Sequence, residues 1–107
     1  MTAKKTAKRS PEKKAKVLNV NHPGTSASIS QEKYDLISAA ILAVIRKGSD
    51  GVPFRALIAL VEDRITTEER RAIGSVGWYV TTVKLDLEAR KRIERVPGSN
   101  PQRLRRV

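Results

Sequence analysis

One stretch of the sequence decides the predicted fold: SVGWYVTTVKLDLEAR, residues 75–90. Ser75 is a residue type that caps helix N-termini, because its hydroxyl accepts a bond from an unpaired backbone N–H. One apolar stripe recurs at i, i+4, i+7 and i+11: Val76, Val80, Val83 and Leu87. At 100° per residue a second stripe lies on nearly the opposite side: Trp78, Leu85 and Ala89. We therefore predict a helix over 75–90 that is sandwiched between other elements or contacts a partner.

The residues before this stretch predict further helices. Ser30 suits a helix N-cap, Pro53 suits a first helical turn, and Thr66 with Glu69 has the spacing of a capping box. Apolar residues follow the first two of these signals at helical spacing. The predicted elements are a helix over 30–47, a short strand at Val52, a helix over 53–64 and a short helix from Thr66 to Gly74.

The C-terminal residues predict a β-hairpin. Residues 92–96 and 102–107 alternate between polar and apolar side chains, and five turn-forming residues separate them. Ile93 and Leu104 are the expected inward-facing residues.

The N-terminal residues predict a disordered basic tail over 1–28. Apart from Met1, the first sixteen residues contain no apolar side chain larger than Ala. Such a segment buries too little surface to offset its chain entropy. Within the tail, Val17, Leu18 and Val20 could form a short extended piece, and residues 21–24 predict a turn. The predicted domain is 29–107.

The order helix, short strand, helix, turn, helix and hairpin resembles the winged helix-turn-helix fold. LEARKRI, residues 87–93, looks like the Leu-Glu-x-x-Gly-x-Ile pattern that leads a recognition helix into the first wing strand. Lys91 stands where Gly is usual, and a left-handed conformation is unfavourable for Lys, so we expect the helix to end differently. Residues 77–88 are also similar to small uncharacterised bacterial proteins. The resemblance implies a mainly α fold with a small β-hairpin (α+β), as three helices and a C-terminal wing.

The chain has a formal net charge of +11 that is unevenly distributed. Residues 1–28 and residues 90–107 each carry seven basic residues and one acidic residue, whereas residues 29–89 carry eight basic and nine acidic residues. A partner with dense negative charge is the simplest reason for two basic ends, and nucleic acid is the commonest such partner.

The candidate nucleic-acid contacts lie in the tail, the 75–90 helix and the wing. The tail offers lysines on a flexible chain, and the wing offers arginines, which pair well with phosphate. The resemblance implies that the 75–90 helix enters the major groove. The helix residues could also simply face water, and the wing arginines could be a solvated edge that prevents strand aggregation. The candidates are Lys4, Lys5, Lys8, Arg9, Ser75, Thr81, Lys84, Arg92, Arg95, Arg103, Arg105 and Arg106.

We therefore expect a DNA-binding protein of the cytoplasm, either a transcription regulator or a nucleoid-associated protein. Two alternatives remain: an RNA- or ribosome-associated winged helix, and a protein-interaction or dimerisation module that uses Trp78 and Leu85. Without Cys and with a single His, the chain lacks a usual set of ligands for zinc or iron–sulfur centres, and we predict no metal and no cofactor.

Neither catalysis nor membrane insertion is expected. The chain has no Cys nucleophile, no Ser and His with a plausible third partner, and no phosphate-binding Gly loop, so we do not expect an enzyme. The longest apolar run is Ala39–Ile45, far short of the roughly 20 residues that span a bilayer. The first residues include Lys rather than an apolar stretch, so we expect no secretory signal.

Overall fold

The computed structural model describes residues 13–46 and 50–107. These residues form an α+β domain with four helices and two small antiparallel sheets, as the sequence predicted at this coarse level. None of the described helices combines the length and the hydropathy that crossing a bilayer requires. The elements are β1 (Lys14–Leu18), β2 (Ser26–Ser30), α1 (Gln31–Val44), β3 (Val52–Pro53), α2 (Phe54–Glu62), α3 (Thr67–Ile73), α4 (Val76–Ala89), β4 (Ile93–Arg95) and β5 (Arg103–Arg106).

Three of the four described helices begin at the caps that the sequence predicts, whereas Pro53, predicted in the first turn of a helix, lies in β3 and precedes α2. The Ser30 side chain accepts from the backbone N–H of Lys33 at 3.3 Å, and the Ser75 side chain accepts from that of Trp78 at 3.2 Å. Thr66 and Glu69 form a complete capping box, with bonds of 2.8 and 3.0 Å. Each cap satisfies backbone N–H groups that the first turn of a helix leaves unpaired. Residues close in sequence therefore determine where these helices begin.

Helix α4 is the centre of the core. Its first predicted stripe is confirmed as buried, with Val80 and Val83 fully inaccessible. The helix packs against α1, α2 and β1, which surround it. The core also contains fully buried residues from the other elements: Ile37, Ile41, Ile45, Leu57, Val61, Ile93 and Leu104.

The predicted C-terminal hairpin is confirmed and belongs to a three-stranded sheet in the order β3-β5-β4. Leu104 in the central strand faces Val52 on one side and Arg95 on the other, and it is fully buried, as is nearly all of Ile93. The turn before β3 depends on Gly51, which has φ 101° and where a Cβ would lie 2.8 Å from the Leu104 carbonyl oxygen. The sheet therefore fixes the C-terminal hairpin to the start of α2.

The first two strands form a second hairpin, which packs against α4. β1 and β2 pair antiparallel along their whole length. Ala15 and Val17 are buried on one face of β1, while Lys14 and Lys16 are exposed on the other. Ile29 of β2 is buried beside them. This period of two is that of an amphipathic strand.

The hairpin corrects the prediction of a disordered tail over 1–28. That prediction is wrong for residues 14–28, because two small buried residues at alternate positions are enough to dock a strand on an existing core. Residues 1–12 and 47–49 lie outside the described residues. The first long helix was predicted to reach residue 47, but it ends at Val44, and Ile45 is its C-cap.

The end of α4 also differs from expectation. Lys91 adopts the left-handed conformation, with φ 64°, although it is not Gly. The N–H of Arg92 donates to the Leu87 carbonyl at 2.9 Å, and the N–H of Lys91 donates to the Glu88 carbonyl at 3.1 Å. These two bonds are the Schellman pattern that usually ends in Gly. The helix therefore ends in the usual geometry, and the surrounding bonds hold Lys91 in an unfavourable conformation.

We predict that Lys91→Gly stabilises the protein by about 1 kcal/mol and raises Tm by about 5 °C, because Gly removes the steric cost of the positive φ. Thermal unfolding followed by circular dichroism measures this change. Lys91→Ala removes the same charge but keeps a Cβ, so its Tm should stay close to that of the parent. Equal stabilisation by both variants would assign the effect to charge.

Candidate nucleic-acid interface

A buried carboxylate joins α4 to the N-terminal hairpin. Asp86 is fully buried, and its oxygens accept from the backbone N–H of Leu18 at 2.8 Å and from the hydroxyl of Tyr34. They also accept from Nε of Arg90 at 2.9 and 3.0 Å. A buried charge is tolerated only when it is paired and hydrogen-bonded. Asp86 meets this condition with donors from β1, from α1 and from Arg90, the residue that follows α4.

Arg90 extends this network to the surface. Its Nη2 donates to the backbone carbonyl of Lys16 at 2.8 Å, and its side chain is 42% exposed. The outer edge of β1 is therefore hydrogen-bonded to α4 at two points, by Asp86 and by Arg90. These bonds bring Lys16, near the beginning of the chain, to the residues that follow α4.

Three exposed cations belong to the two segments that this junction connects, and we call them the basic patch: Lys16, Lys91 and Arg92. Lys91 lines a groove together with Val20 and Asn21 of the first hairpin's turn. The charges of Arg90 and Arg92 both act to lower the pKa of Tyr34, against its larger rise from burial. The basic patch therefore joins residues from two segments about 75 positions apart in sequence.

Three carboxylates of α4 and β4 already have partners within the protein. Glu94, which lines the same groove as Lys91, pairs with Arg105 at 2.6 Å. Asp86 is occupied by Arg90, and Glu88 pairs with both Lys84, at 2.8 Å, and Arg95. The Arg95 guanidinium also donates to the Asn21 side chain at 3.1 Å. Each of these carboxylates therefore has an arginine or lysine partner that is not part of the basic patch.

The wing arginines make bonds within the protein. Arg103 donates to the Gly51 carbonyl at 2.8 Å, and Arg106 donates to the Ile45 carbonyl at 3.2 Å. Arg105 pairs with Glu94 at 2.6 Å on the surface of the hairpin. The wing is thus basic, but part of its hydrogen-bonding capacity holds the sheet against the helices, which the sequence did not indicate.

Lys84 corrects one candidate contact. It was expected on the exposed part of the helix, but it is only 3% exposed. Its ammonium pairs with Glu88 and lies 4.4 Å from the centre of the Phe54 ring. Burial lowers the pKa of Lys84, and Glu88 opposes that shift. An ion pair and an aromatic face accommodate the charge inside the protein, so Lys84 is not a surface contact.

The other candidate residues have mixed positions. Ser75 caps α4, and Thr81 is half-buried. Arg92 and Arg95 are exposed, the latter in its pair with Glu88. The four tail candidates lie outside the described residues: Lys4, Lys5, Lys8 and Arg9.

The second apolar stripe of α4 remains partly uncovered. Trp78 is 52% exposed and contacts Tyr79 edge-on, with ring centres 4.9 Å apart. Trp78 and Leu85 line a groove whose other wall is the N-terminal hairpin, including Leu18 and Ala27. The element beside this stripe is therefore the first hairpin, whose residues the sequence assigned to the tail.

Residues 14–104 match the model of a family of unknown function (DUF6958), and the chain belongs to that family. No curated protein and no solved structure matches the chain. The family match begins at β1 and ends within β5, so it includes both hairpins as well as the helices between them.

We predict that Asp86→Asn lowers the free energy of unfolding by about 2 kcal/mol, because Arg90 loses its counter-charge and the remaining amide cannot satisfy every donor. Part of Arg90 is exposed, which keeps the loss below that of a wholly buried pair. Urea unfolding measures the change. Glu94→Gln removes the exposed carboxylate of the Arg105 pair and should cost less than about 1 kcal/mol. Similar losses in the two variants would contradict a central role for Asp86.

Tyr34 gives a second test through pH. Burial, the hydrogen bond to Asp86 and the charge of Asp86 raise the pKa of Tyr34 from 10.0 to about 12, against the charges of Arg90 and Arg92. Between these values the unfolded chain loses a proton that the folded protein retains, so stability should fall as pH rises above 10. The difference in unfolding free energy between the parent and Tyr34→Phe should shrink over that interval. A difference that does not vary with pH would contradict the network.

Proposed function

We propose that this member of the DUF6958 family is a winged-helix nucleic-acid-binding protein of the cytoplasm that holds duplex DNA mainly through phosphates. The observation that carries the proposal is the basic patch. All three residues, Lys16, Lys91 and Arg92, are exposed on two segments that Arg90 joins, and Asp86, Glu88 and Glu94 have partners outside the patch. Clustered cations on one surface are the electrostatic footprint of phosphate binding.

The connectivity of the fold supports the winged-helix part of the proposal. Strand β3 precedes α2, and α4 leads directly into the C-terminal hairpin. That hairpin pairs with β3 in the order β3-β5-β4. This is the element order that a winged helix requires. The first hairpin and the short helix α3 are additions to that order, and the hairpin supplies one cation of the basic patch.

The distribution of donors favours phosphate binding over base readout. Lys and Arg side chains are general phosphate donors, and such contacts carry no sequence information. The exposed side of α4 presents Thr81, Thr82 and the apolar Trp78 and Leu85, none of which makes the bidentate base contacts of Arg, Asn or Gln. We therefore expect affinity with little sequence preference.

The aromatic residues favour duplex DNA over single-stranded RNA. Recognition of splayed bases uses exposed aromatic faces. Tyr34 is half-buried and donates its hydroxyl to Asp86, and Phe54 is half-buried with the Lys84 ammonium over its ring. Tyr79 contacts the Trp78 ring and the Lys33 ammonium. Only Trp78 is more than half exposed among the four aromatic residues.

We predict that replacing Lys16, Lys91 and Arg92 together with Gln weakens binding to duplex DNA and lowers the steepness of its salt dependence. The slope of log K against log salt concentration should fall by about 0.9 for each phosphate that the variant no longer neutralises. None of the three side chains makes a described ion pair, so folding should be unaffected. Fluorescence anisotropy with a labelled duplex over a salt series measures both quantities.

The matched control replaces three exposed arginines with Gln: Arg55 in α2, Arg64 just after α2 and Arg71 in α3. Its net charge equals that of the first variant, so any difference between the two reports the position of the charges. Equal losses of affinity would contradict a localised interface. Tighter binding of an RNA of equal length at the same salt concentration would replace DNA by RNA in the proposal.

A further inference from the structure

The N-terminal hairpin leaves one strand edge open. In an antiparallel pair, alternate residues direct their N–H and C=O groups away from the partner strand. The Gln31 N–H donates to the Lys13 carbonyl, so the pairs that bond across the hairpin are those of the odd-numbered residues. Ser26 and Ser28 therefore direct their backbone groups outward, away from β1.

The corresponding groups of β1 are occupied, whereas those of β2 are not. On β1, Asp86 binds the Leu18 N–H and Arg90 binds the Lys16 carbonyl. No such bond involves Ser26 or Ser28 in the described part of the chain, and both residues are exposed. The outer edge of β2 thus carries four exposed backbone groups without a partner among the described residues.

The two outer edges of the other sheet are protected in ways that β2 lacks. β3 is two residues long and contains Pro53, and β4 carries Glu94 and Arg95. Proline, charge and short length are the usual means by which proteins prevent pairing at an exposed edge. The sequence of β2, SASIS, contains neither charge nor Pro.

We propose that β2 pairs antiparallel with β2 of a second copy of this chain, which gives a two-fold dimer with a continuous four-stranded sheet. A register centred on Ala27 places Ser26 opposite Ser28 of the other copy at both ends, so all four outward groups of each strand are paired. Ala27 then faces its own equivalent on the side of the sheet that also carries Trp78. The small side chain at the axis allows this close approach.

The positions of the charged residues allow a second copy of the chain to pair with the open edge of β2. The exposed lysines of the hairpin lie on β1, which becomes the outermost strand of the four-stranded sheet. Three strand spacings of about 4.8 Å separate the two β1 strands by about 14 Å, which exceeds the Debye length of about 8 Å at physiological ionic strength. The neutral strands meet at the axis, and an isologous interface of this kind closes without leaving a further edge.

Sedimentation equilibrium without nucleic acid, over a range of protein concentrations, tests the proposal independently of the proposed function. We expect a reversible monomer–dimer equilibrium. Trp78, the only tryptophan of the chain, should shift its emission to shorter wavelength as the dimer forms, because the second copy covers its groove.

Two variants address the strand edge directly. Ala27→Lys places two ammonium groups at the axis and should weaken dimerisation by about tenfold or more. Ser28→Pro removes an outward N–H that the hairpin itself does not use, and should also weaken it. Ala59→Lys makes the same change at an exposed position on α2 and should leave the equilibrium unchanged.

A monomeric mass at every concentration would overturn the proposal. So would a dimer that both edge variants leave intact, provided that each retains the thermal unfolding transition of the parent. If only one variant lost that transition, the other would decide the result.

Discussion

The buried carboxylate of Asp86 is the interaction on which the arrangement of elements depends. A charge without solvent needs donors on every side, and the donors come from β1, from α1 and from Arg90 at the end of α4. Those three elements can occupy only the positions from which a backbone N–H, a phenol and a guanidinium reach the same side chain. The N-terminal hairpin is consequently part of the domain, although it precedes the first helix and contributes few large apolar residues.

Several features could be predicted because the physical cause is local. The capping residues Ser30, Thr66 and Ser75 mark helix starts in the sequence itself, and the Val80–Leu87 stripe identifies the buried side of α4. The alternation around Ile93 and Leu104 likewise predicts the second hairpin. Features that depend on distant residues were missed. The first hairpin docks through Asp86, which is 68 positions from Leu18, and a search for large apolar side chains does not detect such a strand.

Charged residues show the same limit at the candidate site. In the sequence every Lys and Arg has equal weight, but the structure separates them by their surroundings. Lys84 has Glu88 one turn away and the Phe54 ring beneath it, so its charge is accommodated in the interior. Arg103 and Arg106 bind backbone carbonyls, whereas Lys16 and Arg92 remain exposed. Charge counting located the two basic ends; the partners of each cation determine which of them can meet an external phosphate.

The docking of the first hairpin also has a consequence for synthesis on the ribosome. Its two strands are close in sequence and can pair as soon as both have emerged, but the carboxylate and guanidinium that hold β1 lie at positions 86 and 90. Contacts of such large sequence separation form late, because a long loop must close before they are made. The hairpin therefore stays undocked until residues 86–90 have been translated. Until then its outer surfaces are open to other chains emerging nearby. The hairpin can therefore contact another chain before it contacts the α4 of its own chain.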